Sequence, residues 1–203
     1  DENNDDINDA DADHDGLIDI DSLDKLNAMR FQLQGFGLQL TDVAEVDSSG
    51  CPRVIFEGTY QQRCSGYELI QDLDFDTNSD GQIDSNDAYW NENDQGVGEG
   101  WLPVGTNSNN SRFSATFNGN GYVIKNLTIN RPLADSVGLF GAIQNAMIEN
   151  VAIAGPSSSI IGDDWVAGLV GYSFANSQIR NNIVIATVRG DDQVAGLIGR
   201  TES

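Results

Sequence analysis

Short apolar stretches that alternate with polar residues dominate the second half of the chain, and Gly and Asn separate them. The sequence GLFG at 138–141 recurs as GLVG at 168–171 and as GLIG at 196–199, at spacings of 30 and 28 residues. Self-similarity at such a period is typical of solenoids. The repeated pieces are rich in Ile and Val and lack a 3.6-residue period, which favours a β-solenoid. A β-sandwich with coincidental GLxG turns is the alternative.

A second element, with the pattern Ile-x-Asn, recurs at 124–126, 148–150 and 179–181. In a solenoid, equivalent residues of successive repeats stack on one another. The pattern therefore predicts a ladder of side-chain hydrogen bonds at one corner, formed by Asn126, Asn150 and Asn181. It also predicts that the residues between Ile and Asn stack as a salt-bridge ladder, formed by Lys125, Glu149 and Arg180.

One amphipathic helix is predicted at residues 22–34. Ser22 is a suitable N-cap, and Asp24 favours the first turn. One apolar stripe follows, formed by Leu23, Leu26, Met29 and Leu33. We expect this helix to cap the N-terminal end of the solenoid, where it would cover exposed strand edges.

Charge is concentrated in two segments of the chain. The 203 residues contain 32 Asp and Glu against 10 Lys and Arg, for a formal net charge of −22. Residues 1–24 hold 11 acids and residues 72–99 hold nine, and neither segment contains Lys or Arg. This charge argues against nucleic acid and anionic membrane surfaces as partners. No apolar run reaches the length of a membrane-spanning helix, so no membrane insertion is expected.

The second acidic segment contains a 12-residue pattern that resembles an EF-hand calcium loop at 76–87. Gly81 occupies position 6, where the loop turns sharply, and apolar Ile83 follows at position 8. Calcium binds six to eight oxygen atoms, which alternate residues of such a loop supply. The predicted ligands at positions 1, 3, 5, 7, 9 and 12 are Asp76, Asn78, Asp80, Gln82 (through its carbonyl), Asp84 and Asp87. A solvated acidic turn is the alternative.

The first acidic segment matches the same pattern less completely, with Gly16 at position 6. The predicted ligands at positions 1, 3, 5, 7 and 9 are Asp11, Asp13, Asp15, Leu17 (through its carbonyl) and Asp19. Position 12 falls on Ser22, which cannot bind calcium with two oxygens, so Asp21 or Asp24 is a candidate to complete the site. A flexible acidic linker is the alternative, and His14 is interpreted as an exposed loop residue.

The two cysteines, Cys51 and Cys64, both lie in stretches that read as loops. A disulfide between them would imply an oxidising compartment. Two unrelated buried thiols are the alternative. The start of the sequence is acidic and lacks the basic region of a signal peptide, which we interpret as a mature chain or an excised fragment.

No catalytic constellation is recognisable in the sequence. A calcium-assisted polysaccharide lyase would need a basic residue on one face of the solenoid, and the candidates are Lys125, Arg131, Arg180 and Arg189. Six aromatic residues are candidates for a carbohydrate-binding platform, with core packing as the alternative; these are Tyr89, Trp90, Trp101, Tyr122, Trp165 and Tyr172.

Together, these motifs resemble the GLUG repeats of secreted bacterial surface proteins and adhesins. The GLxG copies carry the resemblance over about residues 113–200, and the DADHDGLI, YEL, DLDFDTNSDG and FSATFNGNGY segments resemble the module that often precedes such repeats. The resemblance implies an all-β, right-handed parallel β-helix. It divides the chain into an acidic calcium-binding segment (1–21), an N-terminal cap with first coils (22–112) and the repeats (113–203).

We therefore expect an extracellular, calcium-stabilised protein with a structural or adhesive role, secreted or on a cell surface of the Gram-negative type. End-to-end stacking into a homo-oligomer or fibre, and a polysaccharide or surface ligand, are its expected partners. A polysaccharide lyase or hydrolase, or a carbohydrate-binding module, is the alternative function.

Overall fold

The computed structural model describes residues 9–108 and 110–202. Within these ranges the chain consists mainly of β-strands with one short α-helix, so the protein is all-β, as the alternating pattern predicts. Residues 1–8, 109 and 203, which belong to the three predicted segments, lie outside the described ranges. No helix in the described ranges is long and apolar enough to cross a membrane.

The N-terminal part contains the helix, a hairpin and three further strands. Helix α1 spans Leu23–Ala28 and continues as a 3₁₀ turn over Met29–Phe31. Strands β2 and β3 pair as an antiparallel hairpin. The strands are β1 (Ile18–Ile20), β2 (Arg53–Phe56), β3 (Thr59–Gln62), β4 (Gly66–Leu69) and β5 (Leu73–Asp74).

The C-terminal part consists of short strands at regular intervals, most of them three to five residues long. They are β6 (Thr116–Asn118), β7 (Val123–Lys125), β8 (Thr128–Asn130), β9 (Phe140–Gln144), β10 (Met147–Glu149), β11 (Ala152–Ala154), β12 (Ser159–Ile161), β13 (Asp164–Ala167), β14 (Val170–Phe174), β15 (Gln178–Arg180), β16 (Ile183–Val184), β17 (Thr187–Arg189), β18 (Asp192–Ala195) and β19 (Ile198–Glu202).

Apart from the hairpin, these strands form five separate parallel sheets. Sheet I has the order β1-β4-β6-β10-β15, and sheet II has the order β16-β11-β7-β5. Sheet III is β17-β12-β8, sheet IV is β13-β18 and sheet V is β19-β14-β9. From β6 onward the chain passes through sheets I to V in the same order three times, with an isolated bridge between Val137 and Val166 representing sheet IV on the first pass. The N-terminal strands β1 and β4 extend sheet I.

The middle residue of many of these short strands is buried, and these residues belong to one hydrophobic cluster. In sheet I, for example, Phe117 pairs with Ile148, and Ile148 pairs with Ile179. Phe117 and Ile148 are fully buried, and Ile179 is partly buried against the same cluster. Burial of such an aliphatic and aromatic column is the main force that holds the sheets together.

The GLxG copies stack as the repeat pattern predicts. Each copy leads into a strand of sheet V, and Phe140, Val170 and Ile198 lie in register across that sheet. The Val-Ala pairs that precede the second and third copies also pair with each other, in sheet IV.

The predicted Asn ladder is correct for two of its three members. Asn181 Nδ2 donates to Asn150 Oδ1 at 3.4 Å, and Asn150 Nδ2 donates to Asn118 Oδ1 at 2.9 Å. Asn126 was wrongly included, because it lies elsewhere and donates to Asp74 Oδ1 at 2.8 Å. The reason is register: strand β10 aligns Ile148 with Phe117, so the first Ile-x-Asn copy belongs to sheet II rather than sheet I.

The predicted salt-bridge ladder is correct in part for the same reason. Arg180 Nε lies 2.7 Å from Glu149 Oε2, so these two residues stack as expected. The prediction is wrong for Lys125, which lies in β7 of sheet II, with its Nζ 2.8 Å from Asp72 Oδ2.

The predicted helix is present but shorter than residues 22–34. Ser22 is its N-cap, as expected, and accepts a hydrogen bond from the Lys25 N–H at 3.3 Å. The regular helix ends before Arg30, whose Nε donates to the Asn27 carbonyl and side chain and whose Nη2 donates to the Leu102 carbonyl. The contact with Leu102 connects the end of the helix to a segment 72 residues after Arg30 in the chain.

Candidate metal centre

The first acidic loop (residues 11–19) holds three predicted ligands close together. Asp11, Asp13 and Asp15 each present a carboxylate oxygen within 4.8 Å of the others. Asp11 accepts hydrogen bonds from the N–H groups of Asp15 at 3.2 Å and Gly16 at 2.9 Å. Asp13 accepts from the Asp15 N–H at 3.1 Å, and Asp15 accepts from the Leu17 N–H at 2.8 Å. Gly16 has a φ of 95°, which suits glycine at the sharp turn.

The second acidic loop (residues 76–87) repeats this arrangement position by position. Asp76 accepts from the N–H groups of Asp80 at 3.1 Å and Gly81 at 2.8 Å. Asn78 Oδ1 accepts from the Asp80 N–H at 2.9 Å, and Asp80 accepts from the Gln82 N–H at 2.8 Å. Gly81 has a φ of 85°. The shared sequence frame therefore produces the same local fold in both loops.

The two loops close in different ways. In the second loop, Asp87 at position 12 accepts hydrogen bonds from the N–H groups of Thr77 at 2.7 Å and Asp84 at 3.0 Å. In the first loop, Asp19 at position 9 takes the corresponding role, since its Oδ2 accepts from the Ala12 N–H at 3.0 Å. Both closing acids are buried, with 6% of Asp19 and 7% of Asp87 exposed. The first loop is thus closed three positions earlier than the sequence frame predicts.

The residues proposed for position 12 of the first loop are engaged elsewhere. Ser22 caps helix α1, and Asp21 forms a salt bridge of 3.0 Å with Lys25. Asp24 accepts a hydrogen bond from the Tyr89 hydroxyl at 2.6 Å. The alternative that Asp21 or Asp24 completes the site is therefore not supported by these contacts.

Burial distinguishes the acids of the first loop. Asp11 is fully buried, and burial raises its pKa, although the N–H donor of Gly16 opposes the shift. Burial also raises the pKa of Asp19; the Ala12 N–H opposes this shift, and the charge of Asp13 adds to it. Groups in such an environment favour either a proton or a nearby cation.

The closing acid of the second loop is shifted in the opposite direction. Burial acts to raise the pKa of Asp87, but hydrogen bonds from the Asp84, Thr77 and Asn78 N–H groups outweigh it, so its pKa is lowered. Asn78, Asp80 and Gln82 are exposed, while Asp76 and Asp84 are half-buried. Ile83 is partly buried and packs against the hydrophobic core. Oxygen donors of both loops suit calcium, which prefers carboxylate and carbonyl ligands.

A disulfide joins Cys51 to Cys64, with a Cα–Cα distance of 4.9 Å, so the predicted pairing is confirmed. It lies against the first acidic loop, and Cys64 Sγ is 3.5 Å from Asp11 Oδ2. Both sulfur atoms are consumed in the bridge, so they are not available as thiolate ligands. The segment just before Cys51 also contacts the first acidic loop. The Asp11 N–H donates to the Ser49 carbonyl at 3.2 Å, and His14 Nδ1 lies 3.1 Å from the Gly50 carbonyl.

Several other candidate residues have structural contacts. Trp101 is fully buried and donates from Nε1 to the Leu139 carbonyl at 3.1 Å, and Tyr172 is 3% exposed. These two aromatic residues belong to the interior and cannot form a carbohydrate platform. Arg131, a candidate base, lies 2.7 Å from Glu99 Oε2 and donates to the Trp101 carbonyl.

Two proteins of known name are similar to parts of this chain. A Gly-rich membrane protein of Evansella cellulosilytica is 35% identical over 103 residues, which cover 50% of this chain and 10% of that protein. Halomucin of Haloquadratum walsbyi is 33% identical over 160 residues, which cover 78% of this chain and 2% of halomucin. The chain therefore spans only a small part of the length of either relative. No protein-family model and no solved structure matches it.

The fold and the disulfide define the class of protein. The chain is an all-β protein built of parallel sheets, and its disulfide indicates an oxidising, extracellular environment. The names of the two relatives do not refer to GLUG repeats, so that resemblance stays a prediction.

Proposed function

We propose that this chain is a calcium-stabilised, right-handed parallel β-helix module of the GLUG-repeat type. Its role is structural or adhesive, on a bacterial surface or in a secreted fibre. The repeated order of the five sheets supports a winding in which each coil contributes one strand to each sheet. The right hand is the one that parallel crossover connections almost always adopt. Helix α1 contacts β1, the outermost strand of sheet I, which supports a capping role.

The observation that carries the calcium proposal is the cluster of acids at the first loop. Asp11 and Asp19 are buried beside Asp13 and Asp15, and Asp19 Oδ1 is a buried atom with no hydrogen-bond partner among the described residues. Unpaired buried carboxylates are costly, and a divalent cation offsets that cost. The second acidic loop repeats the same local fold and provides the second proposed site.

Thermal unfolding with and without calcium tests this proposal. A ligand that binds only the folded state adds about 2.7 kcal/mol at a free concentration 100 times its dissociation constant. We expect EDTA to lower the melting temperature by several degrees and added calcium to restore it, with magnesium as the control ion. An identical melting curve in calcium and in EDTA would contradict the proposal.

A further inference from the structure

We propose that Glu68, from strand β4, is a further carboxylate ligand of the cation bound by the first acidic loop. This inference rests on the proposed calcium site and assigns it a residue far away in the sequence. The 12-residue frame that predicts the other ligands does not include Glu68.

Strand register brings Glu68 next to the loop. Strands β1 and β4 are parallel neighbours in sheet I, and Glu68 pairs with Asp19. Paired residues of adjacent strands project from the same face, about 4.8 Å apart. Asp19 is the acid that closes the loop through the Ala12 N–H. The Gly16 carbonyl also accepts a hydrogen bond from the Ser65 N–H at 3.0 Å, which docks the loop on the segment just before β4.

The Glu68 carboxylate is buried in this position, with 3% of the residue exposed. Asn120 Nδ2 donates to its Oε2, which holds the side chain in place. Burial raises the pKa of Glu68, the hydrogen bond from Asn120 opposes the shift, and the charges of Asp15, Asp13 and Asp19 add to it. Glu68 is therefore a buried carboxylate beside Asp19, the acid that closes the first acidic loop.

A buried carboxylate oxygen of Asp19 has no hydrogen-bond partner within the described part of the chain, which favours a bound cation between Asp19 and Glu68. Asp19 Oδ1 is buried, and no hydrogen-bond partner for it exists among residues 9–108 and 110–202. Two adjacent buried carboxylates repel each other unless a proton or a cation lies between them. The charges of Asp13 and Asp15 also act on Asp19, and Lys25 opposes them. A divalent ion coordinated by Asp19 and Glu68 would satisfy the orphaned oxygen and offset the repulsion.

The same row of sheet I offers a matched control. Along this row, Glu68 pairs with Asn118, and Asn118 pairs with Glu149. Glu149 is also a glutamate on this face, but its partner is Arg180 at 2.7 Å. Glu149→Gln removes one negative charge from this row, as Glu68→Gln does, but Glu149 does not contact the first acidic loop.

The test measures calcium affinity in chains whose second acidic loop is disabled by Asp76→Asn. A chromophoric chelator competes for calcium with this parent, with the added Glu68→Gln variant and with the added Glu149→Gln variant. We expect Glu68→Gln to weaken binding by at least about tenfold, because ligand charge sets the affinity of such sites. Glu149→Gln should stay within about twofold, since the ion pair that it removes, with Arg180, does not involve the acidic loop.

Melting curves separate a ligand from a structural residue. Gln keeps an oxygen that can accept from Asn120 and removes the charge beside Asp19. In EDTA, Glu68→Gln should therefore melt no lower than its parent, and in calcium it should melt lower. A structural role would lower the melting temperature in both solutions. Glu68→Asp, which keeps the charge on a shorter side chain, should recover part of the affinity.

The outcomes distinguish the two proposals. If the Asp76→Asn parent binds no calcium, the first site of the proposed function is wrong, and the role of Glu68 with it. If the parent binds calcium and Glu68→Gln binds it equally well, the inference about Glu68 is wrong and the proposed function stands. Lower melting of Glu68→Gln in both solutions, with unchanged affinity, would also overturn the inference.

Discussion

The two acidic loops share a local fold but differ in how the rest of the protein surrounds them. In the first loop, Asp11 is fully buried, a disulfide lies against it, and Asp19 connects it to sheet I. In the second loop, Asp80 and Gln82 are exposed, and Asp87 closes the loop from within. The sequence match is more complete in the second loop, whereas the first loop is the one built into the core.

This difference shows what a linear motif can and cannot predict. The spacing of Asp and Gly determines the backbone turn, because the side chains at positions 1, 3 and 5 accept hydrogen bonds from N–H groups two to five residues later. Ligands contributed by a neighbouring strand depend on register, which the motif does not contain. We therefore expect the two loops to respond differently to changes in calcium, disulfide and backbone.

The largest expected effect comes from substitution of the buried acid at position 1. Asp11→Asn should lower the free energy of unfolding in calcium by about 3 to 5 kcal/mol, the usual cost of breaking a buried charged interaction. Asp76→Asn is the matched change in the second loop and should cost clearly less, since the ligands around it are more exposed. Denaturant titration in saturating calcium measures both. Equal losses would remove the distinction between the loops.

Removal of the disulfide should act mainly on the first loop. A Cys51→Ala, Cys64→Ala variant should lose about 3 kcal/mol, the value expected for a bridge that closes a loop of this size. Because Cys64 Sγ lies beside Asp11, calcium affinity at the first loop should fall while that of the second loop is unchanged. Calcium titrations of this variant with and without Asp76→Asn would separate the two sites. An equal effect on both loops would contradict the prediction.

A pair of glycine substitutions compares the surroundings of the loops directly. At Gly50, with a φ of 76°, a Cβ atom would lie 1.8 Å from the Asp11 carbonyl oxygen. At Gly81, with a φ of 85°, a Cβ atom would meet nothing within 4 Å. Gly81→Ala should therefore cost only the backbone strain of about 1 kcal/mol, and Gly50→Ala about 2 kcal/mol or more. The prediction fails if chemical denaturation gives Gly81→Ala the larger loss.

The smallest expected effect is a pH dependence in chelator. The pKa values of Asp11 and Asp19 are raised above 3.8, so the folded chain binds protons more readily than the unfolded chain. Stability should therefore increase as the pH falls through the raised values, by on the order of 2 °C in melting temperature. The pKa of Asp87 is lowered instead, so its ionised form stabilises the folded chain, and this stabilisation is lost only when the pH falls below 3.8.

Calcium should abolish this gain, because protons and the ion compete for the same carboxylates. An Asp11→Asn, Asp19→Asn variant should show a smaller gain, and the part that remains is expected from Glu68, whose pKa is also raised. Melting curves in EDTA at a series of pH values provide the measurement, and a melting temperature that falls steadily between neutral pH and pH 5 would contradict the prediction.

Repeats and loop spacing allowed much of this fold to be predicted. The GLxG copies predicted the stacking of Phe140, Val170 and Ile198, and the loop-like flanks of both cysteines predicted the disulfide. The register of the first Ile-x-Asn copy could not be found by matching letters, because Phe117 rather than Ile124 aligns with Ile148. The Ile-x-Asn copies begin at residues 124, 148 and 179, and this uneven spacing is the sequence signal that the first copy is out of register.

The environment of the first loop required the three-dimensional structure. Glu68 lies in the YEL segment, which resembles part of a known module but carries no metal-ligand pattern, and its approach to Asp19 follows from the pairing of β1 with β4. The residues that the sequence offers near position 12 each have another partner; these are Ser22, Asp21 and Asp24. The sequence alone contains no indication that residues so far apart pair.

The most direct test of the calcium proposal is a crystal structure of this chain grown in calcium, with long-wavelength anomalous data to locate the ion. We predict an anomalous peak at the first acidic loop, within bonding distance of Asp11, Asp13, Asp15 and Asp19. A second peak is expected at residues 76–87. A map with no peak at the first loop in saturating calcium, or with a peak at the second loop alone, would contradict the account.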